Sequence, residues 1–294
     1  MPNELPQATL GRTRIEVTRL GFGGMALRDE SSKWPIEDDH AEAVLNTVLD
    51  SGINFIDTAD CYGRSEPFIG RFLSHRRDEY TLATKCGCIP KGREWTRENL
   101  FIGLERSLKR LQTDYIDIMQ LHGATPEHVD EGRLIDALEE MRSQGKVRWI
   151  GASTSSPHLN VFTERGVFDT FQIPYSGLSR TNEAWITKAA KAGMGTVIRG
   201  GVHQGEPGLS SRGLPDSWNL WEQAKLDELR DGDTKTAFML RLTLSHPAIS
   251  TIIVGSQNVE HLRQNAEAAR RGPLSGEVYE EAKRRLEAAG AVPE

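Results

Sequence analysis

The amino-acid sequence predicts an α/β fold, a (β/α)8 TIM barrel that occupies residues 1–294 as one domain. Short apolar runs alternate with amphipathic helical patterns along the whole chain. Such alternation is typical of a parallel sheet, and eight strand–helix units within 294 residues favour a closed barrel. Length alone fits two domains, but no linker or low-complexity tract marks a boundary. An open, doubly wound sheet is the alternative fold.

The eight predicted strands are short apolar runs. They cover residues 20–26, 53–56, 80–84, 115–121, 147–152, 169–173, 195–198 and 251–254. Between them, apolar side chains recur at helical spacing, as in the stripes Leu100, Leu104, Leu108, Leu111 and Leu134, Leu138, Met141. Thr96 is a predicted N-cap, and Gly52 and Gly145 fall just past predicted helix ends.

Two segments do not fit the strand–helix repeat. Residues 10–17 read as an N-terminal β-hairpin around Gly11, and we expect it to close the bottom of the barrel. Residues 199 to about 232 read as a long Gly/Ser/Pro-containing loop between the seventh and eighth strands. Loops of this length are usually functional, so we expect this one beside the active site.

Composition and charge argue against nucleic-acid binding and membrane association. The chain has 36 Lys+Arg and 42 Asp+Glu, a formal charge of −6, with no basic cluster that would indicate nucleic-acid binding. It has no long uncharged apolar stretch and no basic-apolar leader, so we expect no membrane association. Three cysteines are few and odd in number, which suits a reducing compartment. We therefore expect a cytoplasmic protein, a monomer by default.

One phosphate-binding fingerprint is present but lacks its context. Residues 21–26 match G-x-G-x-x-A, which binds a dinucleotide where a helix follows at once. Residues 27–35 have no helical periodicity. We interpret the run as a first barrel strand whose glycines allow close packing over its end, with a true dinucleotide fingerprint as the alternative.

Polar residues follow the apolar runs, where a barrel concentrates its chemistry. From the second strand to the eighth they are Asp57, Lys85, His122, Ser153, Gln172, Arg199 and Gly255-Ser256. Tyr62 follows Asp57 on the same loop. Singly, each residue is more often structural, as an ion pair or a packed ring; together at successive strand ends they favour an active site.

These residues have the properties of a tuned proton donor. The Lys85 ammonium would lower the pKa of the Tyr62 phenol from its ordinary value of about 10, and Asp57 would position Lys85. His122 would hydrogen-bond the substrate oxygen that Tyr62 protonates. The implied reaction is carbonyl reduction, with the hydride supplied by a cofactor.

The chain resembles the aldo-keto reductases. The matching segments are residues 52–63 (G-I-N-F-I-D-T-A-D-C-Y-G), Ser65-Glu66, Gly70, 83–85, 117–122, 150–153, Phe171-Gln172, 253–256 and Asn265. The resemblance implies a barrel that binds NADP(H) in extended form across its mouth. It also implies that Tyr62 is the general acid, that Lys85 and Asp57 tune it, and that His122 orients the carbonyl of a small-molecule substrate.

By the same resemblance, Ser153 and Gln172 hold the nicotinamide carboxamide, and Gly255 and Ser256 bind the adenosine-side phosphate. The expected cofactor contacts are Gly24, Met25, Asp57, Ser153, Gln172, Arg199, Gly200, Gly201, Gly255, Ser256, His261 and Asn265. A physical reason supports the phosphate site. Asn258 is a plausible N-cap of the next helix, and a helix N-terminus attracts anions.

The sequence departs from the family at three places. Thr154 stands where many relatives have Asn, and Arg199-Gly200-Gly201 follows the seventh strand where many have an aromatic residue that stacks on the nicotinamide. Gly255 and His261 stand where NADP-preferring members have Lys and Arg. Arg263 or His261 could still meet a 2′-phosphate, so NADP(H) is favoured while NAD(H) stays open.

Two other functions are alternatives to a reductase. One is a nicotinamide-nucleotide-binding regulatory module with slow turnover, as in the potassium-channel β subunits of this family. Another is a barrel metallohydrolase, but neither His122 nor His203 has a partner at metal-ligand spacing in the sequence, and we expect no metal. Cys86 and Cys88 read as ordinary loop thiols.

Overall fold

The computed structural model describes residues 4–28, 35–206 and 218–293. In chain order, the strands are β1 (Gln7–Thr9), β2 (Glu16–Thr18), β3 (Leu20–Gly23), β4 (Phe55–Asp57), β5 (Thr81–Cys86), β6 (Cys88–Ile89), β7 (Gly92–Arg93), β8 (Ile116–His122), β9 (Val147–Ser153), β10 (Thr170–Pro174), β11 (Gly195–Arg199) and β12 (Thr251–Val254). The helices are α1 (Asp38–Asp50), α2 (Ser65–Leu73), α3 (Arg97–Leu111), α4 (Pro126–Glu131), α5 (Leu134–Ser143), α6 (His158–Arg165), α7 (Glu183–Lys191), α8 (Asn219–Gln223), α9 (Lys235–Leu244), α10 (Val259–Arg270) and α11 (Gly276–Ala288).

The centre of the fold is a closed parallel barrel. Its strands run in the order β10-β11-β12-β3-β4-β5-β8-β9, and β9 pairs back with β10. All eight predicted strands are confirmed, with ends shifted by a few residues at most, so the open-sheet alternative is wrong. None of the helices in the described ranges is long and apolar enough to span a membrane.

The helices begin and end as the sequence predicts. The Thr96 side chain accepts a hydrogen bond from the Asn99 amide at the start of α3, and Gly52 and Gly145 have positive φ just past α1 and α5. Gly70 has a packing role, because an added Cβ would lie 2.0 Å from the Arg110 carbonyl of α3. The family-like segment after Asp57 therefore includes a contact between α2 and α3 that only glycine permits.

The N-terminal hairpin closes the amino-terminal end of the barrel, as predicted. Strands β1 and β2 pair antiparallel, and the Arg12 amide donates to the Gly193 carbonyl just before β11. Leu10 and Val17 are fully buried in one cluster with the interior side chains Phe55, Ala83, Ile118 and Val197. The apolar face of the hairpin is thus the floor of the barrel.

The predicted long connection after β11 contains more regular structure than expected. Residues 207–217 lie outside the described part, but α8 and a 3-10 turn at Leu226–Leu229 follow within the predicted loop. Trp221 and Leu226 are buried in a cluster with Phe238 of α9 and Leu286 of α11. This stretch is therefore anchored to the outer helices. The apolar period of these few residues was too short to predict a helix.

Truncation of the hairpin floor tests its contribution to stability. We expect Leu10→Ala to lower the free energy of unfolding by about 2–5 kcal/mol, because it leaves a cavity among fully buried side chains. Ile102→Ala is the control, since Ile102 is 52% exposed on α3 and its loss costs at most about 0.5 kcal/mol. Urea denaturation measures both. Equal effects would show that the hairpin is only loosely attached.

Candidate active site

The parallel strands bring the predicted polar side chains to one end of the barrel. Asp57, His122, Ser153 and Arg199 are the last residues of β4, β8, β9 and β11, and Lys85 is next to last in β5. All these strands run parallel, so their carboxyl ends surround one mouth. The juxtaposition expected from the sequence is present.

The Asp57 carboxylate is the hub of the hydrogen-bond network at this mouth. Lys85 Nζ lies 2.6 Å from Asp57 Oδ2 and also donates to the Thr58 carbonyl at 2.7 Å. Asp57 Oδ1 accepts from the side-chain amides of Gln120 at 3.0 Å and Gln172 at 2.6 Å. The ion pair is buried, with side-chain exposures of 0% for lysine and 2% for aspartate. Removal of either partner would leave an uncompensated buried charge.

Tyr62 lies between the lysine and the histidine. Lys85 Nζ is 4.8 Å from the centroid of the Tyr62 ring, and the Tyr62 and His122 rings meet edge to face with centroids 5.8 Å apart. A turn holds the residue, because the Tyr62 amide donates to the Ala59 carbonyl and the Ser65 amide donates to the Tyr62 carbonyl. Tyr62, Lys85, His122 and Asp57 thus form one contiguous group.

The ionisation of this group differs from the sequence-based expectation. Burial raises the pKa of the Tyr62 phenol above its ordinary value, and this outweighs the opposing effect of the Lys85 ammonium. Burial also lowers the pKa of Lys85, but the Asp57 carboxylate reverses that shift, so the pKa of Lys85 is raised. Burial lowers the pKa of His122. The Lys85 ammonium acts on the Tyr62 pKa in the expected direction, but burial outweighs it, so the net shift is opposite to the expected one and favours the neutral phenol. The raised pKa of Lys85 favours the ammonium, and the lowered pKa of His122 favours the neutral imidazole.

Two thiols contact His122, a proximity that the sequence did not indicate. His122 Nδ1 lies 3.6 Å from the sulfur of Cys61 and 3.6 Å from that of Cys88. A hydrogen bond from Cys88 lowers the pKa of Cys61, and the same contact raises the pKa of Cys88. Cys86 faces away and donates to the Gln120 carbonyl at 3.5 Å. The interpretation of Cys86 and Cys88 as loop thiols is wrong, since both lie in strands.

Gln120 is a further site residue that sequence reasoning missed. It stands two positions before His122 on β8, so both side chains point to the same face of the strand. It is 1% exposed and donates to Asp57. The signal in the sequence was a polar residue within an apolar run, two positions before a candidate histidine and therefore on the same face of the strand.

The glycines that follow β3 and β12 allow close packing and do not form a dinucleotide fingerprint. Residues Gly24–Leu27 form a 3-10 turn, not the α-helix that the dinucleotide fingerprint needs, so that alternative is wrong. A Cβ on Gly24 would lie 2.8 Å from the Asp57 carbonyl, and one on Gly255 would lie 2.4 Å from the Gly23 carbonyl. The ends of β3, β4 and β12 therefore approach more closely than side chains allow. Met25, at the same end, is 38% exposed.

The predicted phosphate site lies at the start of α10. The Asn258 side chain accepts from the amides of Glu260 and His261, which confirms the predicted N-cap. Ser256 Oγ accepts from the Asn258 amide at 3.0 Å. His261 is exposed on the first turn, while Asn265 is 8% exposed on the same helix.

The remaining predicted cofactor contacts fall into two groups. The hydroxyl of Ser153 donates to the side-chain oxygen Oε1 of Gln172 at 3.1 Å, and the Gln172 side-chain nitrogen in turn donates to Asp57. Arg199 and Gly200 are exposed at the end of β11, but Gly201 is buried, and its carbonyl accepts from Thr243 Oγ1 at 2.7 Å. The mouth thus offers the hydroxyl–amide pair of Ser153 and Gln172, the cation of Arg199 and the N-terminus of α10. This donor set fits the amide and phosphates of an extended dinucleotide.

Comparison with known proteins gives a consistent result. The Aldo/keto reductase family profile matches residues 19–287. The holo form of aldo-keto reductase AKR11C1 from Bacillus halodurans aligns with a TM-score of 0.87 and 28% identity over 99% of this chain and 98% of that one. The uncharacterized oxidoreductase YqkF of Bacillus subtilis is 29% identical over 91% of this chain and 92% of its own length. The NADH-specific methylglyoxal reductase of Escherichia coli is 32% identical, over 59% of this chain and 60% of its own length.

The matched region includes every strand of the barrel and all four residues of the Asp57, Tyr62, Lys85 and His122 group. The structural alignment covers the N-terminal hairpin as well. The agreement in sequence and in fold extends over nearly the whole length, and the chain belongs to the aldo/keto reductase family.

Proposed function

We propose that this protein is an NADP(H)-dependent oxidoreductase that reduces aldehyde or ketone carbonyls to alcohols in a reversible reaction. The observation that carries the proposal is the position of Tyr62, a partly buried phenol between the Lys85 ammonium and the His122 imidazole. A phenol held between two polar groups at a barrel mouth can donate a proton to a carbonyl oxygen.

Each residue of the group has a distinct task in the proposed reaction. Tyr62 donates its phenolic proton to the substrate oxygen, and the Lys85 ammonium stabilises the phenolate that results. Asp57 keeps Lys85 charged and in place. His122 is bound by thiols through Nδ1, so its Nε2 is left to hydrogen-bond the same oxygen. The nicotinamide cofactor, when bound, supplies the hydride.

The cofactor residues follow from the same mouth. Ser153 and Gln172 would hold the carboxamide of the nicotinamide ring, with Arg199 and Gly200 beside it. Ser256 and the start of α10 would hold the adenosine-side phosphate, with His261 available to a 2′-phosphate. The E. coli relative named as NADH-specific makes the choice of nucleotide a point to measure. Saturable quenching of tryptophan fluorescence at lower NADPH than NADH concentration supports the proposal, and no binding of either contradicts it.

Removal of the proposed proton donor separates chemistry from binding. We expect Tyr62→Phe to lower kcat by about 10²–10⁴-fold while NADPH affinity stays near normal, because only the proton transfer is lost. Tyr80→Phe is the matched control, since its buried hydroxyl has no hydrogen-bond partner in the described part and lies before β5, at the other end of the barrel. Steady-state kinetics with several aldehydes and ketones checks both. Tight NADPH binding without turnover in the unmodified protein would favour the regulatory module instead.

The direction of the Tyr62 shift predicts the pH profile of reduction. A raised pKa keeps the phenol protonated to higher pH, so we expect kcat/KM to stay level through neutral pH and to fall only above about pH 10. The measurement is the pH dependence of kcat/KM for the carbonyl at saturating NADPH. A decline centred near neutral pH that Tyr62→Phe abolishes would show that the Lys85 charge, not burial, controls this phenol.

Truncation at the start of α10 tests the phosphate site. We expect Ser256→Ala to raise the Kd for NADPH by about 5–10-fold, the effect of about one lost hydrogen bond. Ser275→Ala is the control, because the Ser275 side chain also accepts a hydrogen bond from a backbone amide, at the start of α11, but is not among the residues of the mouth. Fluorescence titration measures both. Unchanged affinity in Ser256→Ala would remove this residue from the cofactor site.

A further inference from the structure

Three metal-ligating side chains from separate segments meet beside the mouth. Cys61 lies in the loop after β4, Cys88 in the short hairpin strand β6, and His122 at the end of β8. The two sulfurs and a ring nitrogen of His122 all lie within 4.8 Å of one another. Cys88 is 3% exposed, whereas Cys61 and His122 are partly exposed, so an ion can reach the group from solvent.

The thiols of two segments converge on one nitrogen of His122. His122 Nδ1 has two sulfurs at 3.6 Å, from Cys61 and Cys88. A ring nitrogen carries either one hydrogen or one lone pair, so it can satisfy only one of them. The second thiol makes its hydrogen bond to the first, in the contact between Cys88 and Cys61, so all three donor atoms lie together.

The spacing fits a tetrahedral zinc site. Zn–S and Zn–N bonds of about 2.3 and 2.0–2.1 Å at tetrahedral angles place N and S about 3.6 Å apart. The observed Nδ1···Sγ distances are both 3.6 Å. Two sulfurs and one imidazole are the donors that zinc prefers, and three protein ligands leave a fourth position for water. We propose that Cys61, Cys88 and His122 bind one Zn²⁺ ion through their two Sγ atoms and Nδ1.

The surroundings support these ligands. Arg93 Nε donates to the His122 carbonyl at 3.1 Å, and Arg106 Nη2 lies 3.4 Å from the Cys88 carbonyl and 2.7 Å from Asp60 Oδ2. These contacts hold the backbone at two of the three ligands. Two thiolates neutralise Zn²⁺, so the filled site adds no net charge to a half-buried pocket.

The metal site shares His122 with the proposed reductase function but uses a different nitrogen of the ring. Coordination through Nδ1 leaves the proton of His122 on Nε2, the nitrogen that faces away from the thiols. The ion would lock the ring in the tautomer that donates a hydrogen bond. A metal titration measures binding directly. Metal binding can therefore be absent while the reductase activity is present, and metal binding can be present while the reductase activity is absent.

The experiment uses the full chain, stripped with a chelator and kept reduced with a phosphine. Zn²⁺ is titrated against a chromophoric chelator, and Co²⁺ is added in parallel as a spectroscopic probe. We expect one equivalent of either metal, with thiolate-to-cobalt charge-transfer bands and the strong visible bands of a tetrahedral site. No Zn²⁺ at one equivalent, or a pale octahedral Co²⁺ spectrum, would overturn the proposal.

Three matched variants assign the ligands. We expect Cys61→Ser and Cys88→Ser each to weaken Zn²⁺ binding by more than the about 10–100-fold that loss of an outer partner costs, and to remove part of the charge-transfer intensity. Cys86→Ser is the control, because the Cys86 sulfur donates to the Gln120 carbonyl and is not among the three converging groups, so its loss should leave binding unchanged. Circular dichroism confirms that each variant is folded. Equal affinity in all four proteins would place the metal elsewhere and contradict the assignment.

Discussion

Closure of the parallel barrel is the constraint on which the remaining structure depends. Because β9 pairs back with β10, every strand has two neighbours, and all eight carboxyl ends surround one mouth. The opposite end needs an apolar cover, which the hairpin supplies through Leu10 and Val17. Glycine at positions 24 and 255 lets the strand ends approach within backbone contact. The mouth is therefore small enough for side chains from three strands to bond one carboxylate on a fourth.

That carboxylate, Asp57, links the fold to the proposed chemistry. Its bonds to Lys85, Gln120 and Gln172 come from β5, β8 and β10, so one buried anion connects much of the mouth. A buried ion pair contributes little net stability compared with apolar packing, but it requires all its partners to be present. What it contributes here is position: Lys85 is held against the Tyr62 ring, with its charge maintained.

His122 belongs to two groups at once. Its ring meets Tyr62 on one side, and its Nδ1 meets the thiols of Cys61 and Cys88 on the other. The proposed reduction uses Nε2, and the proposed zinc site uses Nδ1, so the two are compatible on one ring. Cys61 and Tyr62 are adjacent in sequence and lie on the same turn, so one short loop contributes to both the proposed reduction and the proposed zinc site.

The sequence by itself determined the eight strands, the helix caps at Thr96 and Asn258, and the placement of Asp57, Lys85 and His122 at strand ends. These are local properties, set by apolar period, capping chemistry and the residue that follows each apolar run. Only the tertiary structure decided the direction of the Tyr62 pKa, the burial of Gly201, the bond from Gln120 to Asp57 and the meeting of Cys61 and Cys88 at His122. Each depends on groups brought together from distant segments, and desolvation and side-chain contact across a barrel leave no local pattern in the chain.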